Sequence, residues 1–214
     1  MTILNVTIKR EKVVKYLGIN IDEKLNWNSH IDSVCNSLLK YFGIFNQVKG
    51  YITRILARQL YFAFIYSRIA YGIEVYGSCS KVNMNKLQVL QNKLIKLLLN
   101  YDYRTDTNVI HKNLNIMKVQ DIQNANIIHF VNNCLLGRYP PPFDSYYSYN
   151  DTPYNLREAK LIAPRPRTTF GAQNLHILGA KLWNSTSNEI KVHRNKLNFK
   201  KHITRSYISK YVVT

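Results

Sequence analysis

Acidic residues are scarce in this 214-residue sequence: 12 Asp and Glu stand against 30 Lys and Arg, for a formal net charge of +18. Two-metal centres need clustered carboxylates, because hard divalent cations take hard oxygen ligands. The one adjacent acidic pair, Asp22-Glu23, lies between a strand-like and a helix-like stretch, where a turn or helix-dipole role is expected. No G-x-x-x-x-G-K-[ST] or G-x-G-x-x-G loop is present to cradle phosphates. The three cysteines, Cys35, Cys79 and Cys134, are far apart, which excludes a C-x-x-C zinc module and an even-numbered disulfide framework. They fit a reducing intracellular compartment, nuclear or cytoplasmic. The six His are isolated, with His30 and His129 in helix-like sequence, and no Ser or Cys has an activating context. No catalytic residue, metal site or cofactor of the chain's own is therefore expected. The most apolar stretch, 56–76, is interrupted by Arg58, Arg68 and Glu74, so it is expected to be a buried helix and no membrane span. The first ten residues lack a signal-peptide layout and alternate like a strand.

What is present is positive charge spread along a chain that is 46% hydrophobic and so able to fold. A field of that size repels itself unless an anion neutralises it, and a phosphate backbone is the commonest such anion. A basic solubility bias and an anionic membrane surface are the other sources of such charge. Sixteen Tyr interleave with the cations. Aromatics beside Lys and Arg can stack bases, although Tyr41, Phe42, Tyr61, Phe62 and Phe64 suit a core better. RNA, DNA or an RNA–DNA hybrid is the expected partner class, and a membrane is not.

The pattern predicts an α+β, mainly α chain. Ile3, Val6 and Ile8 alternate, Arg10-Glu11-Lys12 is a charged turn, and 13–21 is β-prone, which together suggest a β-hairpin over 1–22. From Trp27 the period becomes helical: Trp27, Ile31, Val34, Leu38, Phe42 and Phe45 share a face, with Asn26 or Asn28 as cap and Gly50 as stop. A second helix opens near Thr53, with Ile52, Leu56, Leu60 and Phe64 as its stripe and a central place in the fold. Arg54 and Arg58 lie one turn apart on another face. A third places Leu87, Leu90, Leu94, Leu97 and Leu98 inward and Lys86, Lys93 and Lys96 outward. Thr105 and Thr107 look like caps of a short helix, and 119–136 supports a longer one ending at Gly137. These helices make up a bundle over 23–137. Tyr139-Pro140-Pro141-Pro142-Phe143 then breaks the pattern, and 138–158 reads as a linker or boundary. A small, basic C-terminal module over 159–214 follows, β-prone or mixed over 175–184 and helical over 196–210.

The order of these pieces carries a resemblance. Tyr16-Leu17-Gly18-Ile19-Asn20-Ile21-Asp22, followed by Leu25-Asn26-Trp27-Asn28-Ser29-His30-Ile31, resembles a stretch of the non-LTR, LINE-type retrotransposon reverse transcriptases that directly follows the catalytic palm. Ala70-Tyr71-Gly72-Ile73-Glu74-Val75-Tyr76-Gly77 is similar to the family's Y-x-x-x-x-W-G segment, with Tyr76 in place of Trp. Residues 87–96 resemble its L-x-x-x-Q-[NK]-[KR]-x-[IL]-[RK] helix. Arg167-Thr168-Thr169-Phe170-Gly171 and Gly179-Ala180-Lys181-Leu182-Trp183-Asn184-Ser185 look like the closing module of jockey- and CR1-like elements, although the usual Leu-Pro after that Ser is missing.

The resemblance implies a primer-grip strand at Tyr16, Leu17 and Gly18, and a helical thumb that tracks template–primer backbone. Arg54, Arg58, Lys86, Lys93 and Lys96 on the thumb, with Arg165, Arg167, Lys181, Lys200 and Lys201 beyond it, are the candidate phosphate contacts. The family's catalytic Asp residues lie upstream of the Y-L-G strand, and Mg2+ belongs with them. The resemblance thus implies a chain corresponding to a truncated copy, or to a gene model starting inside one, that is no polymerase by itself and has a palm-containing segment as a potential partner. A host-recruited helical adaptor and a non-functional relic are the rival expectations.

Overall fold

The computed structural model describes residues 2–3, 6–7, 10–150, 160–192 and 195–212. It is α+β and mainly α. Where one hairpin was expected there are two. Strand β1 (Thr2–Ile3) pairs with β2 (Val6–Thr7), and β3 (Val13–Tyr16) pairs antiparallel with β4 (Ile19–Asp22). The run 13–21 therefore folds on itself, and Ile8 lies outside the described residues. The reason is local: Leu17 and Gly18 both take positive φ, 46° and 83°. Two such residues in sequence form the two-residue turn whose twist matches a hairpin, and Gly18 adopts it without a Cβ penalty.

The Asp22 carboxylate ends the hairpin by accepting the backbone N–H groups of Lys24, Asn26 and Trp27 at 3.1, 3.1 and 2.8 Å. This is the turn role expected of the acidic pair. Asn26 Oδ1 then accepts from Asn28 N at 3.1 Å and starts α1 (Asn28–Leu39). Helix α2 (Tyr41–Val48) follows through Lys40, which keeps helical angles. Trp27, Ile31, Val34, Leu38 and Phe45 are buried along one stripe, as the spacing predicts.

The Thr53 side chain caps α3 (Arg54–Leu60), which runs on as a π-helix (Tyr61–Tyr66) and α4 (Ser67–Ala70). The expected stripe is wrong here by one position. Leu56 and Phe64 are exposed, while Ala57, Tyr61, Ile65 and Ile69 are buried. Residues four apart drift by about 40° per step around an α-helix. Wider i→i+5 winding offsets that drift, so an every-fourth stripe stays on one face. Helix α5 (Ile73–Tyr76) and α6 (Lys81–Leu98) follow. In α6 the buried leucines are Leu87, Leu90, Leu94 and Leu98, whereas Leu97 is only half-buried. The cap of α7 (Thr107–Leu114) is Asp106, which accepts from Asn108 N at 2.9 Å, and neither Thr105 nor Thr107 serves.

The central helix is α8 (Val119–Leu135), not α3 as the sequence suggested. It packs against α4, α5, α6, a short 3-10 turn at Phe143–Ser145, and the C-terminal helices described below. Gly137, at φ 59°, follows its end as expected. In the described part of the stretch predicted as a linker or boundary, 138–150, four aromatic side chains pack inward while most other residues are exposed. Tyr139, Phe143, Tyr146 and Tyr147 surround Phe130 with ring centroids 5.2 to 6.4 Å away. Tyr147 is buried and its hydroxyl donates to Leu175 O at 2.9 Å. Aromatic mass, absent from an ordinary linker, is what seats this segment. Residues 151–158 lie outside the described residues.

After an extended stretch in which Leu161 bridges to Tyr149, the described C-terminal residues form α9 (Thr169–Ala172), α10 (Leu175–Ser185), α11 (Asn188–Lys191) and α12 (Lys196–Ser209). The mixed structure predicted over 175–184 is therefore corrected. Asn174 caps α10 by accepting from His176 N at 2.9 Å, and Gly179 lets the helix lie close against α8. A Cβ there would collide with Tyr147 Oη and come within 2.9 Å of Val131 Cγ2. One hydrophobic core reaches from Trp27 through Leu94 and Val131 to Trp183, Phe199 and Tyr211.

Candidate nucleic-acid interface

The resemblance-bearing motifs meet in space, and they meet by packing. The β3–β4 tip rests on Tyr71, whose hydroxyl donates to Leu17 O at 2.6 Å, with its ring 3.5 Å from where a Gly18 Cβ would be. Trp27 Nε1 donates to Ser78 Oγ at 3.2 Å, and His30 Nδ1 accepts from Asn20 N at 3.3 Å. The His30 ring lies edge-on to Tyr76 at 4.7 Å, and the Tyr76 hydroxyl is bonded to Ile69 O. Burial lowers the His30 pKa and keeps it neutral. A cleft of about 580 Å3 opens beside the tip, lined by Lys15, His30, Phe64, Arg68 and Tyr71 among others. Tyr16 and Leu17 themselves are exposed at 64% and 72%.

A second concavity has more charge. Helix α12 and the α3–π-helix segment flank a groove of about 410 Å3, lined by Arg58, Phe62 and Tyr66 from one side. The other side supplies Leu197, Lys200, Lys201, Thr204 and Arg205, and Asn115, Ile116 and Met117 complete it. The spacing 197, 200/201, 204/205 is one face of a helix. Asn195 caps that helix by accepting from Leu197 N at 2.9 Å. Phe199, Ile203 and Ile208 are buried and anchor its opposite side. At the far end Tyr211 donates to Asp121 Oδ2 at 2.5 Å and accepts from Lys118 N at 2.9 Å, which clamps the helix to the start of α8. The local field is positive enough to act on a neighbour: burial first, then Lys196, Lys200 and Arg138, lower the pKa of His129.

Of the sequence-predicted contacts, this groove brings together Arg58, Lys200 and Lys201. Arg205, Phe62 and Tyr66 were missed as members of a site, although the 201–205 spacing already put two cations on one helix face. Arg54 and Arg58 have a second engagement. Arg54 Nη2 donates to Asn113 O at 2.7 Å and Arg58 Nε to Leu114 O at 2.9 Å, so both satisfy carbonyls at the end of α7. The α6 lysines are partly occupied as well. Lys86 pairs with Asp32 at 3.5 Å, and Lys96 Nζ donates to Tyr103 O at 2.5 Å, while Lys93 is exposed. Arg165, Arg167 and Lys181 are exposed outside the groove, in the stretch before α9 and on α10. The closing motif is structural where the structure describes it: Trp183 is buried, and the Asn184 amide bonds both the N–H and the C=O of Leu161 at 2.8 and 2.9 Å.

Cys79 and Cys134 are buried, Cys35 is half-buried, and all three are free thiols. Among the described residues, no three His, Cys, Asp or Glu side chains group as metal ligands, and no helix is long and apolar enough to cross a membrane.

The chain is similar to polymerases of non-LTR retrotransposons. It is 26% identical over 119 residues to a probable RNA-directed DNA polymerase from transposon BS of Drosophila melanogaster. It is 25% identical over 117 residues to the RNA-directed DNA polymerase from mobile element jockey of the same species. A third relative, the probable polymerase from transposon X-element, is 21% identical over 121 residues. The matches cover 54%, 53% and 54% of this chain and 13% of each relative. No family model matches the sequence, and no solved structure matches the fold.

Proposed function

We propose that this chain is a nucleic-acid-holding segment of a retrotransposon-type RNA-directed DNA polymerase, one that grips RNA, DNA or their hybrid through phosphate contacts and performs no polymerisation by itself. The observation that carries this reading is the convergence of Arg58, Lys200, Lys201 and Arg205 on one groove. With an 18-charge excess of cations, a polyanion is the partner whose binding relieves repulsion, by releasing counterions from its own backbone. Contacts of this kind position a backbone without reading sequence. Mg2+ and the catalytic carboxylates belong, in this reading, to a palm-containing segment outside the matched stretch. The exposed Val14 and Tyr16 on one face of the β3–β4 hairpin, with Leu17 at its tip, offer such a segment an apolar surface and, among the described residues, two unpaired strand edges.

The test is binding of the purified chain to a labelled RNA–DNA hybrid across a salt series. About six phosphate contacts give a slope of log K on log salt near roughly −5. Replacing Lys200, Lys201 and Arg205 by Gln flattens it by roughly 2 to 3 units. A salt-independent interaction, or a slope untouched by the triple variant, refutes the reading.

A further inference from the structure

The groove between α12 and the α3–π-helix rod is built for more than a row of phosphates. Its rim is cationic, but Phe62 and Tyr66 form one wall, and Leu197, 79% exposed, stands on the other beside Lys200 and Lys201. Met117, buried, is part of the floor. A duplex keeps its bases stacked inside and presents phosphates outward, so it can reach the rim but not an aromatic wall inside a concavity. An unpaired nucleotide offers both a flat apolar face and a charged backbone. The volume, about 410 Å3, is that of a small-ligand site, large enough for one base with its sugar.

The free protein already stages the exchange. The Arg58 guanidinium lies 4.8 Å over the Phe62 ring, and the Lys200 ammonium lies 6.0 Å over Tyr66. Each cation is held by the ring quadrupole at the entrance. Arg58 is also bonded to Leu114 O, which keeps it beside the groove when a base takes its place on the ring. Among the described residues Lys200 has no such second tie, and it can leave the ring for a phosphate. The two rings are themselves in contact, 5.2 Å apart and 58° from parallel, so they form a bent wall that accommodates a single inserted base.

We infer that this groove receives one unpaired nucleotide of a single-stranded segment, its base against Phe62 and Tyr66 and its flanking phosphates on Lys200, Lys201 and Arg205. The inference rests on the nucleic-acid reading above and deepens it: the site distinguishes single strands from closed duplex, with little base preference, because stacking uses the π-face common to all bases.

Fluorescence anisotropy of the full chain decides it, with a labelled oligothymidylate and a blunt duplex of equal length compared at one salt concentration. The single strand is expected to bind roughly ten-fold tighter, the effect of stacking one base. Phe62→Leu and Tyr66→Leu remove that advantage and leave duplex affinity and its salt slope in place. Leu197→Ala, at a site too exposed to threaten folding, weakens the single strand alone by roughly three-fold. Thermal melts accompany each variant, and Leu197→Ala keeps the test decisive where a ring variant fails to fold. Equal affinity for the two forms, or ring variants that weaken both alike, overturns the inference and leaves the phosphate-holding reading intact. Binding to neither form overturns both.

Discussion

The β3–β4 tip and the α12 groove teach opposite lessons about where a sequence displays function. Tyr16-Leu17-Gly18 is the most recognisable stretch of the chain, and the structure accounts for much of it by folding: a two-residue turn, a hydrogen bond to Tyr71, a close ring contact. The α12 groove belongs to no recognisable motif, yet it gathers four cations and two aromatic rings from segments distant in sequence. Motif residues are conspicuous because several backbone and packing conditions meet in them. Phosphate-binding cations satisfy only a condition of sign and place, and many arrangements meet it.

The largest way to break this contrast is to dislodge α10, which packs on α8 beside the helix that forms the groove. Gly179→Ala puts a methyl group against Tyr147 Oη and within 2.9 Å of Val131 Cγ2. Overpacking of this kind costs about 3 kcal/mol, or a fall in Tm of roughly 10 °C for a chain of this size. Differential scanning fluorimetry measures it. An unchanged Tm would mean that α10 does not seat on α8 as described, and the groove would lose its frame.

Charge removal sharpens the comparison next. Lys200→Gln with Lys201→Gln is expected to weaken hybrid binding roughly 30-fold at moderate salt and to flatten the salt slope by about 2 units. Lys86→Gln with Lys93→Gln on α6 is expected to change affinity by less than about five-fold, because Lys86 already pairs with Asp32. The reverse ranking, measured by the same titration, would move the interface from α12 to α6.

These pairs also show how far the sequence carries. The α1–α2 stripe and α6 follow from hydrophobic spacing because their buried residues repeat at three and four. The α3 stripe does not, because the segment is apolar almost all round, and two every-fourth series, one through Leu56 and one through Ala57, fit it equally well. Residues 175–184 read as mixed because Gly179 and the β-branched Ile177 lower helix propensity, and only tertiary packing against Tyr147 and Val131 shows why the glycine is there. Over 138–158, the expected linker or boundary, proline and polar residues dominate locally, while the aromatic side chains of its described part gather on Phe130. Lys200 and Lys201 were legible as basic positions, but their convergence with Arg58 on one groove is set by tertiary packing.

Acid titration probes the core that both regions share. His111 is 1% exposed, with Nδ1 3.3 Å from Ile116 O and Nε2 3.0 Å from Asn92 Oδ1. Burial, which outweighs the bond to Ile116, pushes its pKa down to about 4 from 6.5. A depressed folded-state pKa means the unfolded chain takes the proton first. The stabilising contribution is therefore complete above pH 6.5 and lost as pH falls towards 4. Between pH 7 and pH 5 the loss from this group is about 2 kcal/mol. His30 and His129, also lowered by burial, add to it. Urea melts at the two pH values measure the loss, and His111→Gln should shrink it. A curve flat over that interval would contradict a neutral, buried His111. Asp121 and Glu74, whose pKa values burial raises, act in the opposite direction and gain weight at lower pH.

The smallest effect returns to the hairpin tip. Tyr71→Phe removes the bond to Leu17 O at an exposed site and costs about 1 kcal/mol or less. Most of that cost is local, because the tip can open without unfolding the core. Amide exchange at Ile19 and Asn20 should quicken several-fold while Tm barely moves. Its value lies in what happens to binding. If Tyr16, Leu17 and Gly18 hold a nucleic-acid strand, as the resemblance implies, a loosened tip weakens hybrid affinity as well as protection. If affinity stays level while exchange quickens, the tip's hydrogen bond serves folding alone, and the grip belongs to the α12 groove.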